Sequence, residues 1–495
     1  MKNKYIYITI VSALSLGIAQ HFSVLGFLAW FCLIPLFFII HDIDSYGDII
    51  KYTFIWGLVY HLTTMFWLAS NVGTDRFSAI ISMIATILYL STNTVIIGIV
   101  WYRLKIFFEK YSILLFIITW TCVEFIKSYG ILAFPWVSIA NSQTNYFYLI
   151  QIVEYVGIYG ITFWILSVNG FIYYLLRNRF SYKNIIIGIF IFIIPFLLGY
   201  LSLIKHNNKN NDDYQVSLVQ PNIKLADSRD YSKTYILLDL LLEETQKCIN
   251  EGSNLIIWPE AALPFHSLQN KKTLDYINNK LLNKSGVSIL SGDIIFDKEK
   301  TYNGVVLFDE SGVKEIYKKQ LPVPLAEQVP LSDVFPKLQN INIGVANFSS
   351  GIEDVVFKLD DKKFSSLICY ESTFPGINRR HVKKGAQFIT FLVNDAWYTN
   401  WPEPEQHAKQ SIFRAIENRK TVLRCANTGI SLVVSPYGEI TNRINLNEKG
   451  LITTNINTND YITFYTKFGN VFVYILLIIV TVLLLRTIIR NEKEL

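Results

Sequence analysis

Seven apolar runs in the first 205 residues constrain this chain more than any other feature. A bilayer core of about 30 Å needs roughly 20 apolar residues per helix. Runs of that kind lie near 5–22, 23–41, 52–70, 78–102, 111–130, 148–176 and 184–204, and an eighth lies near 467–489. Lys2 and Lys4 precede the first run as in a signal peptide, but no small-residue cleavage pattern follows, so the run reads as a retained helix. The expected organisation is an integral membrane α-helical bundle of eight transmembrane helices with one extramembrane insertion. Residues 1–205 form a membrane domain of seven helices, 206–462 an extramembrane domain, and 463–495 a last helix with a cytoplasmic tail. With 51% hydrophobic and 17% charged residues, disorder and a small disulfide scaffold are excluded. The net charge of +6 comes without a basic stripe interleaved with aromatics, so a nucleic-acid partner gains no support.

Lys and Arg in short connections mark the cytoplasmic side. With the N-terminus inside, that side holds Lys2, Lys4, Lys51, Arg103, Lys105, Lys110, Arg177, Arg179, Lys183, Arg486, Arg490 and Lys493, against only Arg76 and Lys127 opposite. The 206–462 domain is therefore expected outside the cytoplasm. Glu124 and Glu154 fall in or near the membrane, where an ionisable group calls for interior partners.

The inserted domain changes period. Short strand-like runs, YQVSLVQPN, NLIIWPE, VSILSGD, YNGVVLFDESG, FSSLICYES, FITFLVND and ISLVVSPYGEI, alternate with helical stretches such as 231–250 and 405–420. That pattern predicts a layered α/β domain, whose strand ends are the usual place for a site. Five cysteines, Cys32, Cys122, Cys248, Cys369 and Cys425, lack CxxC spacing, so no zinc site or redox pair is indicated and no metal is expected. Three fall in the inserted domain, so at least one is a free thiol.

Three strand ends or loops carry ionisable groups. Glu260 follows Trp258-Pro259, Lys319 and Glu327 flank a proline-rich loop, and Cys369-Tyr370-Glu371 closes a strand. Singly, a strand-end Glu is more often solvated, a Lys in a KK pair is more often a surface charge, and a buried Cys is more often a small hydrophobe. Together, a carboxylate, an amine and a thiol are the parts of a base-activated nucleophile with a cationic oxyanion stabiliser. The run Arg379-Arg380-His381 with Lys383-Lys384 reads first as a solvated helix face and second as a lipid head-group patch.

In this order the groups resemble the nitrilase superfamily of carbon-nitrogen hydrolases, and, set between seven helices and one, its membrane-embedded apolipoprotein N-acyltransferase family. The motifs that carry the resemblance are VQPN (219–222), WPEAALP (258–264), Lys319 with Glu327, CYESTFP (369–375), NDAWY (394–398), QH (406–407) and ANTG (426–429), with FPW at 134–136. Where that family usually reads L-V-P-F-G-E, this chain has Pro322 to Glu327, PVPLAE. The resemblance implies a nitrilase-like α-β-β-α sandwich and catalytic roles for Glu260, Lys319 and Cys369. It implies supporting or substrate-binding roles for Glu327, Tyr370, Glu371, Asn394 and Trp397, with Glu327 orienting Lys319 or relaying its proton.

The activity implied is a ping-pong acyl transfer through a thioester on Cys369, the last step of bacterial lipoprotein maturation. The donor would be a glycerophospholipid, typically phosphatidylethanolamine, and the acceptor the α-amino group of a diacylglyceryl-modified apolipoprotein. No cofactor is implied. The expected setting is the bacterial inner membrane, with the catalytic domain on the periplasmic side of a monomer. Two alternatives stay open: a membrane-tethered amidase or hydrolase using the same Glu-Lys-Cys set, and a transporter or receptor carrying an inactive sensor domain.

Overall fold

A computed structural model describes residues 2–178, 181–206, 214–228, 230–262, 270–281, 286–329, 335, 347–398 and 400–494. Arg179, the Leu263-Pro264 end of the WPEAALP motif and Pro330 lie outside the described residues. The chain divides into two compact units. One comprises Met1–Ala69, Ala79–Asn207 and Phe468–Leu495, and the other Ser70–Ser78 and Asn208–Lys467.

The first unit is helical. Among the described residues, five helices are long and apolar enough to cross a membrane: Ser23–His41, Arg76–Phe107, Ile158–Arg177, Tyr182–Lys205 and Val471–Arg490. The other apolar runs depart from simple spans for local reasons. Lys2–His21 and Tyr46–Met65 have 20 residues each but are diluted by Lys, Tyr, His and Asp side chains, and Ser112–Ile126 has only 15. The run expected over 148–176 is broken: Gly157, at φ +65°, separates Val153–Val156 from Ile158–Arg177. Left-handed backbone is where a helix ends and where glycine costs least.

The two buried carboxylates of this unit have interior partners, as burial among apolar helices requires. Glu124 accepts from Thr162 Oγ1 at 2.9 Å and from the Ser138 hydroxyl. Glu154 accepts from His206 Nε2 at 3.1 Å and from the Ser202 hydroxyl.

The second unit is two six-stranded sheets. The first has the order β12-β1-β2-β3-β4-β5 and the second β11-β10-β9-β8-β7-β6. The strands are β1 (Tyr214–Gln220), β2 (Leu255–Ile257), β3 (Ser288–Asp297), β4 (Lys300–Asp309), β5 (Gly312–Lys318), β6 (Phe357–Leu359), β7 (Lys362–Ile368), β8 (Phe388–Val393), β9 (Val422–Ala426), β10 (Ser431–Val434), β11 (Ile440–Ile444) and β12 (Gly450–Ile456). In each sheet three neighbours run parallel, β1-β2-β3 and β7-β8-β9, and antiparallel strands complete the edges.

The inner faces meet through uninterrupted apolar strands. Tyr214 of β1 lies 5.9 Å from the Phe388 ring of β8, and the buried Cys425 thiol of β9 donates to the carbonyls of Val219 and Ile257 at 3.3 and 3.2 Å. Helix Thr234–Asn250 covers the outside of the first sheet with Leu238, Leu241 and Leu242 packed on Ile256 and Ile289. Helices Pro375–Lys383 and Glu403–Asn418 pack on the second sheet. Burying both faces of a largely parallel core is what makes its strands read as continuous Val/Ile/Leu runs.

Candidate active site

Four site residues sit where strands end. β2 runs into Trp258-Pro259-Glu260, β5 into Lys319, β7 into Cys369, and β8 into Asn394. The Glu260 turn is held on both sides. Trp258 Nε1 donates to Thr245 Oγ1 at 2.9 Å, and the Pro259 carbonyl accepts from Gly292 N–H at 3.2 Å. A Cβ at Gly292 would fall 2.6 Å from both Glu260 Cα and Ala261 N, so only glycine lets β3 approach this turn. Cys369 takes φ +49° where β7 gives way to the short turn Cys369–Thr373, and it is the only one of the five cysteines that is not buried; all five are free.

Lys319 is the centre of the constellation. Its Nζ lies 2.8 Å from Glu327 Oε2 and 3.8 Å from Glu260 Oε1, and its side chain is almost wholly buried. Asn303, in mid-β4, joins the two carboxylates: its Nδ2 donates to Glu260 Oε1 at 2.7 Å and to Glu327 Oε1 at 2.9 Å. The Asn303 main-chain carbonyl accepts from Lys319 N–H at 2.8 Å. Glu327 is fixed in turn by Val323 N–H at 2.7 Å. Asn303 carries no motif, and its only mark in the sequence is a polar amide just ahead of the apolar run Val305–Phe308.

Burial pushes the Glu260 carboxyl up to about 7, with Lys319 opposing that rise and Glu327 adding to it. Burial alone would lower Lys319, but the Glu327 and Glu260 carboxylates hold the ammonium above its ordinary range. Burial and the Glu260 charge push the Cys369 thiol well up, with Lys319 acting against them. The resting site therefore holds a neutral thiol, a fixed cation and a carboxylate that titrates near neutrality. These groups suit a general base, an oxyanion stabiliser and a nucleophile.

The supporting positions divide. Glu371 is fully buried and accepts from Ile368 N–H at 2.9 Å, Gln320 N–H at 2.7 Å, Leu321 N–H at 3.1 Å and Tyr317 Oη at 2.7 Å. It ties the Cys369 turn to the segment that carries Lys319. Tyr370 is buried with its ring edge-on to Phe374 at 5.0 Å. Asn394 caps the turn Asp395–Trp397 through Ala396 N–H at 3.2 Å and accepts from Asn427 Nδ2 at 3.2 Å. Trp397 closes that turn and is half-buried.

A buried chain behind the nucleophile went unassigned in the sequence although Asp395 and His407 lie in the NDAWY and QH motifs; Arg424 lies in no motif. His407 Nδ1–H donates to Asp395 Oδ1 at 2.9 Å, and Arg424 Nη2 donates to Asp395 Oδ2 at 2.8 Å. His407 Nε2 lies 3.0 Å from Ser372 Oγ and 3.1 Å from the main-chain oxygen of Cys369, and the Ser372 hydroxyl lies 2.8 Å from that same oxygen, so Ser372 links the imidazole to the nucleophile's main chain. Burial would raise Asp395, but Arg424 and His407 hold its carboxyl below the usual range. Cys369, Asp395 and His407 offer ligand-type atoms within 4.8 Å of one another. The Lys319 charge acts on the same thiol and Asp395 already serves Arg424 and His407, so the trio reads as a hydrogen-bonded support rather than a metal site.

The basic run on Pro375–Lys383 is engaged within its own unit. Arg379 donates to the Tyr465 and Lys467 carbonyls, Arg380 pairs with Asp354 at 3.1 Å, and Lys384 lies 3.4 Å from Asp354. Arg380 and Lys384 stay about half exposed while so paired, which agrees with a solvated helix face more than with a lipid head-group patch.

Residues 215–465, slightly more than half of the chain, match the family Carbon-nitrogen hydrolase. Residues 12–171 match Apolipoprotein N-acyltransferase N-terminal domain. The apolipoprotein N-acyltransferase of Chlorobaculum tepidum is 28% identical, over 99% of this chain and 98% of that protein. That of Rickettsia prowazekii is 28% identical, over 94% of this chain and 95% of that protein. Among solved structures, Saccharomyces cerevisiae Nit3, a member of branch 10 of the nitrilase superfamily, is 18% identical over 49% of this chain and 90% of its own, with a TM-score of 0.39.

Proposed function

Because the chain belongs to the carbon-nitrogen hydrolase family and carries an apolipoprotein N-acyltransferase N-terminal domain ahead of it, we propose that it is an acyltransferase that moves an acyl chain from a glycerophospholipid to the α-amino group of a diacylglyceryl-modified apolipoprotein. The observation that carries the chemistry is the buried Lys319 held between Glu260 and Glu327 beside Cys369.

In the first half-reaction Glu260 takes the Cys369 proton as sulfur attacks the ester carbonyl. Lys319 stabilises the tetrahedral oxyanion, and Glu260 returns the proton to the leaving lysophospholipid oxygen. In the second, the neutral acceptor amine attacks the thioester and forms the amide. Glu260 takes the amine's proton and passes it to the departing thiolate. Asn303 and Glu327 hold the base and the cation, and Glu371 holds the nucleophile's turn against Lys319. A glycerophospholipid fits as donor, phosphatidylethanolamine being the one the family resemblance implies, because both substrates are then membrane-anchored and reach one site by lateral diffusion.

The membrane part is assigned eight spans, with residues 1–205 as a membrane domain of seven helices, 463–495 as the last helix and a cytoplasmic tail, and 206–462 as the catalytic domain. The Lys/Arg asymmetry supports placing that domain on the periplasmic side of the inner membrane. The chain is assigned as a monomer without a cofactor. An impermeant thiol reagent or protease applied from outside would then reach the 206–462 domain while leaving Lys183 and Arg490 protected.

The deciding experiment incubates the membrane-embedded protein with phospholipid labelled in its acyl chain. Label is expected on the protein through a hydroxylamine-labile bond, to be absent from Cys369→Ala, and to move to a diacylglyceryl lipopeptide added afterwards. Free fatty acid as the sole product, with lipopeptide present, would instead favour the hydrolase.

A further inference from the structure

The segment Ser70–Ser78 lies in sequence between helix Tyr46–Met65 and helix Arg76–Phe107, yet it belongs to the compact unit that holds the catalytic strands. Within that unit it rests on the turn after β8. Val72 N–H donates to the main-chain oxygen of Trp397 at 3.0 Å, and Asn71 Nδ2 donates to Tyr398 Oη at 3.0 Å. The other end of the same amide, Asn71 Oδ1, accepts from Gly73 N–H at 2.7 Å, so the three residues act as one turn. Gly73 lies against the indole: a Cβ there would fall 2.2 Å from Trp397 Cε3 and Cζ3. No side chain fits at this position unless the ring moves.

The turn so gripped also contains Asp395, which holds His407, which in turn meets the main-chain oxygen of Cys369. Burial keeps the Tyr398 phenol protonated, so its hydroxyl remains a hydrogen-bond partner throughout the working pH range. We propose that Asn71, Val72 and Gly73 are positioning residues for acyl transfer. They fix the Trp397-Tyr398 turn and, through Asp395 and His407, the setting of the nucleophile.

This inference rests on the acyl-transfer reading above, and its test separates the two. The rate of acyl-enzyme formation is measured in single turnover with labelled phospholipid, using the full-length membrane protein. Gly73→Val is expected to slow acylation at least about tenfold while the thermal midpoint stays near that of wild type, because one ring is displaced from a partly exposed place. Asn71→Ala and Tyr398→Phe should each slow it about threefold to tenfold, as loss of one hydrogen bond does. The double variant should be no slower than the slower single variant, because both remove the same bond. Asn71→Asp, which can still accept from Gly73 N–H and from the Tyr398 hydroxyl, should restore most of the rate, but not when combined with Tyr398→Phe.

If Gly73→Val loses its folded midpoint, the Asn71 and Tyr398 cycle decides alone. Wild-type rates in the single variants, or losses that multiply in the double variant, would overturn the positioning role. A wild-type protein that takes up no label would overturn the acyl-transfer reading instead.

Discussion

Glu371 accepts the Gln320 N–H at 2.7 Å, linking the residue two places after the nucleophile to the residue directly after the buried cation. The same carboxylate accepts from Ile368 N–H on the strand that presents Cys369. Cys369 and Lys319 come from different sheets. Glu371 therefore bridges the two segments by hydrogen bonds where no strand pairing connects them.

Replacing that carboxylate tests the clamp. Glu371→Gln keeps the shape but puts an NH2 where donors converge, leaving buried N–H groups unpaired. We expect a loss of about 2–4 kcal/mol in stability and a fall in acylation of at least about tenfold. Thermal unfolding and label uptake measure both, and wild-type uptake would show that the clamp is dispensable.

The base gives a pH dependence with a definite sign. Glu260 must be ionised to accept the thiol proton, and its carboxyl titrates at about 7, so acylation should rise as pH climbs through that value and then level. The Asn303 hydrogen bond favours the ionised form. Asn303→Leu should therefore move the rising limb to higher pH by about one unit. A limb that stays in place, or moves down, would count against Glu260 as the base.

Thiol chemistry offers an independent check. Among the five cysteines only Cys369 is not buried, so alkylation of the native protein should modify that residue alone. Its thiol is pushed up, so alkylation should be slow at neutral pH and accelerate as pH rises, and Lys319→Met should slow it further by removing the charge that favours thiolate. Peptide mapping after timed alkylation reads this directly. Rapid labelling at neutral pH would contradict the electrostatics described here.

The Pro322–Glu327 loop separates transfer from hydrolysis. Leu325 is 44% exposed and takes φ +65°, a conformation that costs a branched residue about 1 kcal/mol. If its side chain shelters the thioester, Leu325→Ala and Leu325→Gly should both raise the ratio of free fatty acid to N-acylated lipopeptide. Only the Gly variant should also gain stability. Product analysis by mass spectrometry gives the ratio, and an unchanged ratio in both would remove the loop from that role.

What the sequence made legible follows from what its patterns encode. Chemistry at strand ends is visible because an apolar run stops on an ionisable group, and Glu260, Lys319 and Glu327 are found within ion-pair distance. Strands β1 to β4, β7, β8 and β10 correspond to the apolar runs. β9 was hidden because VLRCA carries Arg424, whose charge is matched by Asp395 from the neighbouring strand's end. The edge strands β11 and β12 were hidden because polar residues interrupt their apolar ones and most of their positions are at least partly exposed. Asn303 was invisible for a related reason: a polar residue in a strand usually marks the solvent face, and this one faces two carboxylates. Hydropathy counts apolar residues but does not register backbone breaks, so the continuous run over 148–176 concealed the turn at Gly157.

The Lys319 arrangement has a further consequence for the medium in which the reaction runs. One ammonium is shared by two carboxylates, and each proton movement in the cycle passes between Cys369, Glu260 and a substrate atom, so the total charge of the cluster together with its bound substrate stays constant within each half-reaction. No counter-ion has to enter or leave a site fed from a lipid phase. The chemical step should accordingly be indifferent to ionic strength, and added salt should act only on how the acceptor lipoprotein arrives.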